Sequence, residues 1–89
     1  MSGETVAGAV PPAVLADLRR AFAREISTRM PHLADLTDLE TARRDAHTIA
    51  SSAWVVGEPD IARLARQVES ELPGGPVAEL LALLSGYVA

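Results

Sequence analysis

The chain has 89 residues, 22% of them charged, with a formal net charge of −4 and an isoelectric point near 5.0. That acidic balance argues against nucleic acid as the main partner, because a phosphate backbone needs a basic face. There are no cysteines, which removes disulfides, thiolate metal sites and cysteine nucleophiles, and the length supports one small domain with a simple core.

Residues 1–10 are small and polar with no period, and are predicted to form a flexible N-terminal arm. Met1-Ser2-Gly3-Glu4 lacks the basic start and apolar core of a secretory leader, and no apolar run approaches the roughly 18 residues of a membrane span. A cytoplasmic protein is expected. Residues 11–89 are predicted to form the folded domain. Pro12 suits the first turn of a helix, where its missing N–H would be unpaired anyway. The first helix is predicted over about Pro12–Met30, with Leu15, Leu18, Phe22, Ile26 and Met30 as its apolar stripe. Pro31 predicts a kink or break, because its ring clashes with the carbonyl four residues back. Leu33 and Leu36 continue the pattern beyond it, so the helix can resume for a turn or two.

Thr37-Asp38-Leu39-Glu40 reads as a capping box, with Thr37 capping a second helix that starts near Asp38. That helix is predicted to reach Val56, with Leu39, Ala42, Ala46, Ile49, Ala53 and Val56 facing inward. Gly57 can take the left-handed conformation that ends a helix. A third helix, about Pro59–Leu72, buries Ile61, Leu64, Val68 and Leu72. Pro73-Gly74-Gly75-Pro76 is a break. A fourth helix, about Pro76–Tyr87, is the most apolar, so it is either deeply packed or meets a partner. Four helices with short connections imply an all-α, antiparallel up-down-up-down four-helix bundle.

His47 lies outside the inward stripe. At 100° per residue it sits roughly 130° from the centre of the apolar face, so it points to solvent. Arg43 and Arg44 lie one turn before it, Ala50 and Ser51 one turn after it, and Trp54 two turns after it. An exposed histidine on a solvated face is one reading. A nucleophile is the other. The neutral ring has an unperturbed pKa of about 6.5, so a free nitrogen is available at neutral pH. Small neighbours clear its approach, and arginines can steady a phosphoryl group. Ser51 and Ser52 lack an orienting acid and an oxyanion hole, which argues against hydrolase chemistry. His32 has no partner at metal-ligand spacing and reads as a surface residue, so no metal site is expected. Trp54 either covers the flank of the bundle or anchors a partner.

The run Ala46-His47-Thr48-Ile49-Ala50-Ser51-Ser52-Ala53-Trp54-Val55-Val56-Gly57 resembles the signature of histidine-containing phosphotransfer (HPt) domains. Ala46, His47, Ile49, Ala53 and Gly57 agree in place, and the resemblance extends over roughly residues 12–88. Two positions depart. Ala50 stands where the family has lysine, and Ser51 where it has glycine. The resemblance implies a phosphoryl carrier and not an enzyme. His47 would accept a phosphoryl group from a receiver aspartate or a histidine kinase and pass it to a response regulator. Arg43 and Arg44 would replace the missing lysine. Trp54 would help to dock the partner. The chain would need no cofactor, since the magnesium belongs to the partner receiver, and would act as a monomer. The alternatives are a degenerate module that docks on a receiver or kinase and regulates it without transfer, and a purely structural bundle.

Overall fold

The computed structural model describes residues 10–89. The expected arm, apart from Val10, lies outside the described residues. Four helices follow in order: α1 Pro12–Ala34, α2 Leu39–Val55, α3 Pro59–Glu71 and α4 Val77–Val88. Consecutive helices pack against each other and α1 closes the ring against α4. This is the all-α four-helix bundle that the apolar periodicity predicts.

The core is assembled from one stripe per helix. Phe22, Ile26 and Leu33 come from α1, Ala42, Ala46, Ile49 and Ala53 from α2, Ile61, Ala65 and Val68 from α3, and Leu80 and Leu84 from α4. Ile26, Leu33, Ile49, Val68, Leu80 and Leu84 are fully buried, each contributing about 1.5–3 kcal/mol by removal from water. The rings of Phe22 and Tyr87 meet edge to face, with centroids 5.2 Å apart, and tie α1 to α4. Outside this stripe α4 is not deeply packed, since Leu83 and Val88 are exposed.

One local expectation holds in part and one is corrected. The helix does not break at Pro31 but continues for the further turn that Leu33 predicts, to Ala34. Proline here forfeits only the bond to the carbonyl of Ser27, close to the helix end. Its own carbonyl still accepts from Asp35 N–H at 3.0 Å, and the added turn buries Leu33 completely. The cap of α2 is Asp38, not Thr37. Asp38 Oδ1 accepts from Thr41 N–H at 3.1 Å and Oδ2 from the Thr41 hydroxyl at 2.7 Å. The Thr37 hydroxyl is committed elsewhere, donating to Asp35 Oδ1 at 2.7 Å in the turn that precedes the helix.

The expected stop at Gly57 is present. Its φ of 79° lies in the left-handed region. Glu58 N–H donates to Ala53 carbonyl at 2.8 Å and Gly57 N–H to Trp54 carbonyl at 3.3 Å, the paired bonds of a Schellman close. Gly75, with φ 96°, has Glu71 Cβ only 3.0 Å from where its own Cβ would stand, so a side chain there would be strained twice over.

Alanine sets how closely the site helices approach. Ala46, Ala50 and Ala53 of α2 and Ala62 and Ala65 of α3 are all buried, and α2–α3 is the most extensive helix pairing in the bundle. Because α2 is flanked by both α1 and α3, its buried arc is wider than the predicted stripe. It takes in Asp45 towards α1 and Ala50 towards α3.

Candidate functional site

His47 stands midway along α2 with its side chain 67% exposed. The ring is not free. Its Nδ1 lies 2.9 Å from Glu69 Oε2 of α3. A carboxylate oxygen can only accept, so Nδ1 carries the proton and donates it. In the neutral imidazole this leaves Nε2 as the nitrogen with the available lone pair. One hydrogen bond therefore fixes both the orientation of the ring and its tautomer. Glu69 is half-buried and anchored on α3 one residue after the fully buried Val68.

Two recesses flank the ring. One, of about 180 Å³, lies at the seam of α2 and α3 and is lined by His47, Ala50, Ser51, Arg66 and Glu69. Ala50 is its buried floor, covered by the close approach of α3, and Ser51 is exposed at its side. The other recess is wider and is lined by Glu40, Arg43, Arg44, His47 and Glu69. Arg43, Arg44, Ala50 and Ser51 are thus gathered round His47, as their spacing predicts. Trp54 is 42% exposed and belongs to a neighbouring groove with Ala62, Arg63 and Arg66.

The spacing along α2 does not reveal Glu69 and Arg66, which come from α3. The available signal was the alanine face of α3. Ala62 and Ala65 face α2, and Arg66 and Glu69 continue that face by one turn.

A second polar cluster ties α1 to α2 on the opposite flank. Asp45 is 3% exposed, yet its Oδ1 accepts from Arg29 Nη1 at 2.5 Å and its Oδ2 faces His32 Nδ1 at 2.5 Å. His32 is therefore not a bare surface residue, although its ring is half exposed. Its partner comes from another helix, which spacing along one helix does not disclose. Among the described residues, no group of three histidine or acidic side chains is placed to hold a metal ion, and no helix is long and apolar enough to cross a membrane.

No curated protein and no solved structure matches the chain. The family model described as Hpt domain does, over residues 12–88. That range runs from the first residue of α1 to the last of α4 and includes the histidine with every residue gathered around it. The chain belongs to the Hpt domain family, whose members are phosphocarrier modules of histidine phosphotransfer in two-component signalling and work with receiver domains and kinases.

Proposed function

We propose that the protein is a phosphorelay intermediate in which His47 receives a phosphoryl group from a receiver aspartate or a histidine kinase and passes it to a response regulator. The observation that carries this reading is the bond from His47 Nδ1–H to Glu69, on a ring that is two-thirds exposed. In the neutral ring it leaves the Nε2 lone pair open to a partner.

The transfer balances without a reagent in this chain. The Nε2 lone pair forms a bond to phosphorus while the bond from phosphorus to the aspartyl oxygen breaks. The electron pair leaves with the aspartate carboxylate. The ring keeps its Nδ1 proton and becomes cationic, and the Glu69 carboxylate beside that proton balances the new charge. Transfer onward is the same step reversed. Positioning of the two reactants is this chain's main contribution, and the partner receiver supplies magnesium and most of the charge stabilisation. Trp54 serves as a docking anchor beside the site. The reading places a monomeric carrier in the cytoplasm.

A phosphorylated receiver should label the wild-type protein, and His47→Gln should abolish the acid-labile label. A second reading has one observation in its favour: Ala50 leaves α2 without a cation after the histidine. In that reading the domain docks on a receiver or kinase and regulates it without transfer. Tight binding that persists in His47→Gln, with no labelling of the wild type, would select it over the relay.

A further inference from the structure

We infer that Arg66 of α3 supplies the cation for a phosphoryl group on His47, taking the place of a basic residue on α2; the inference rests on the proposed role of His47 as acceptor. Position 50 cannot supply it. Ala50 is 2% exposed and forms the floor between the two helices. The recess above that floor is lined by one positive side chain, Arg66.

Pairing sets four of the eight arginines aside. Arg20 is bonded to Asp17, Arg29 to Asp45 and Arg63 to Asp60, and Arg19 donates to the Val56 carbonyl. The side chain of Arg66, like those of Arg24, Arg43 and Arg44, makes no hydrogen bond or ion pair with the described residues, although Glu69 lies one turn away on its own helix. Glu69 is engaged by His47 instead. The guanidinium of Arg66 keeps its donors available for phosphate oxygens, which it can meet with two parallel bonds.

Arg43 and Arg44 are less well placed. Their recess is the more open one and contains the carboxylate of Glu40 as well as Glu69, and Arg44 also feels Asp38. Arg66 also lines the groove of Trp54. A partner seated on Trp54 would cover Arg66 and exclude water from it, and a charge interaction strengthens as the surrounding dielectric falls. One side chain thereby joins the docking groove to the phosphoryl site.

The test removes the partner. Phosphoramidate phosphorylates the full-length protein directly: the Nε2–P bond forms, the N–P bond of the reagent breaks, and ammonia leaves with the electron pair. The pH midpoint of the phosphoryl group's second ionisation is then read by ³¹P NMR, with His47→Gln assigning the signal. Arg66→Ala should raise that midpoint by about one unit. Arg66→Lys should keep most of the wild-type value. Arg43→Ala with Arg44→Ala should shift it by less than Arg66→Ala does. An unchanged midpoint in Arg66→Ala, a larger shift in the Arg43/Arg44 pair, or failure of His47 to take the label would overturn the inference. Transfer from a phosphorylated receiver is measured separately on the same proteins. Its absence alongside the expected Arg66 shift would sink the relay reading alone, whereas transfer with an unmoved midpoint would sink the role of Arg66 alone.

Discussion

Glu69 and His47, 22 residues apart in the chain, are joined by a 2.9 Å hydrogen bond across the α2–α3 seam. The carboxylate selects the Nδ1–H tautomer, and it is the only group on the described residues that hydrogen-bonds the ring. Removing it as Glu69→Ala should leave the fold intact, because the side chain is part-exposed. Phosphoryl transfer should slow about tenfold, the rate equivalent of one hydrogen bond of ~1.4 kcal/mol. Glu69→Gln should recover part of this loss, since its amide oxygen can still accept from Nδ1. Nitrogen-15 shifts of His47 distinguish a positioning role from a structural one. They should move from a single Nδ1–H form towards a mixture of tautomers in Glu69→Ala, and an unchanged tautomer there would refute the assignment.

Arg29 and His32 both turn their side chains onto the buried carboxylate of Asp45. A charge at 3% exposure is tolerable only while it is paired. Arg29→Ala should therefore destabilise the protein by about 3 kcal/mol, the range seen when one partner of a buried pair is lost. Removing the acid as well, in Arg29→Ala with Asp45→Ala, should cost less than the sum of the two single changes. Denaturant titrations of the four proteins test this, and strict additivity would show that Asp45 is effectively solvated.

Much of this bundle is legible in sequence because its elements are local. The stripe from Leu15 to Met30 and the stop at Gly57 depend on residues within a few positions of each other. So does the outward direction of His47. What surrounds His47 is only half legible. Arg43, Arg44, Ala50 and Ser51 share its helix, and their spacing alone brings them to it. Glu69 and Arg66 arrive from α3, and their register against α2 is set by how closely Ala62 and Ala65 let the helices approach. That register has no counterpart in a one-dimensional pattern. Asp45 illustrates the same limit. It sits three residues after buried Ala42 and four before buried Ile49, yet it falls outside the predicted stripe and is buried. Arg29 and His32, which meet it there, come from another helix.

The corrected cap of α2 makes a pH prediction. Hydrogen bonds from the Thr41 hydroxyl, and then from the Thr41 backbone N–H, hold the Asp38 carboxyl below its ordinary value of 3.8. The unfolded chain lacks these bonds, so folding favours the ionised form. The stabilisation is fully present above the ordinary value and is lost as pH falls through the lowered one. Asp38→Ala should accordingly lower Tm at pH 7, and the gap from wild type should narrow at pH values well below 3.8. Thermal melts at pH 7 and pH 2 check the sign. A gap that widens in acid would rule out the cap as its source.

Trp54 lies seven residues after His47 on α2, two turns along the same face, and shares its groove with Ala62, Arg63 and Arg66 of α3. The indole is exposed at 42%, so its truncation should cost the isolated fold little. A receiver that approaches His47 must cover this groove to bring its aspartate within bonding distance of Nε2. An aromatic at the centre of such a contact is commonly worth 2 kcal/mol or more. Trp54→Ala should then weaken receiver binding by about thirtyfold, while the rate of chemical labelling by phosphoramidate stays at the wild-type level. The pair of measurements separates docking from nucleophilicity. Equal losses in both would mean that the tryptophan supports the shape of α2 and not the partner, and unchanged binding would place the docking face elsewhere on the bundle.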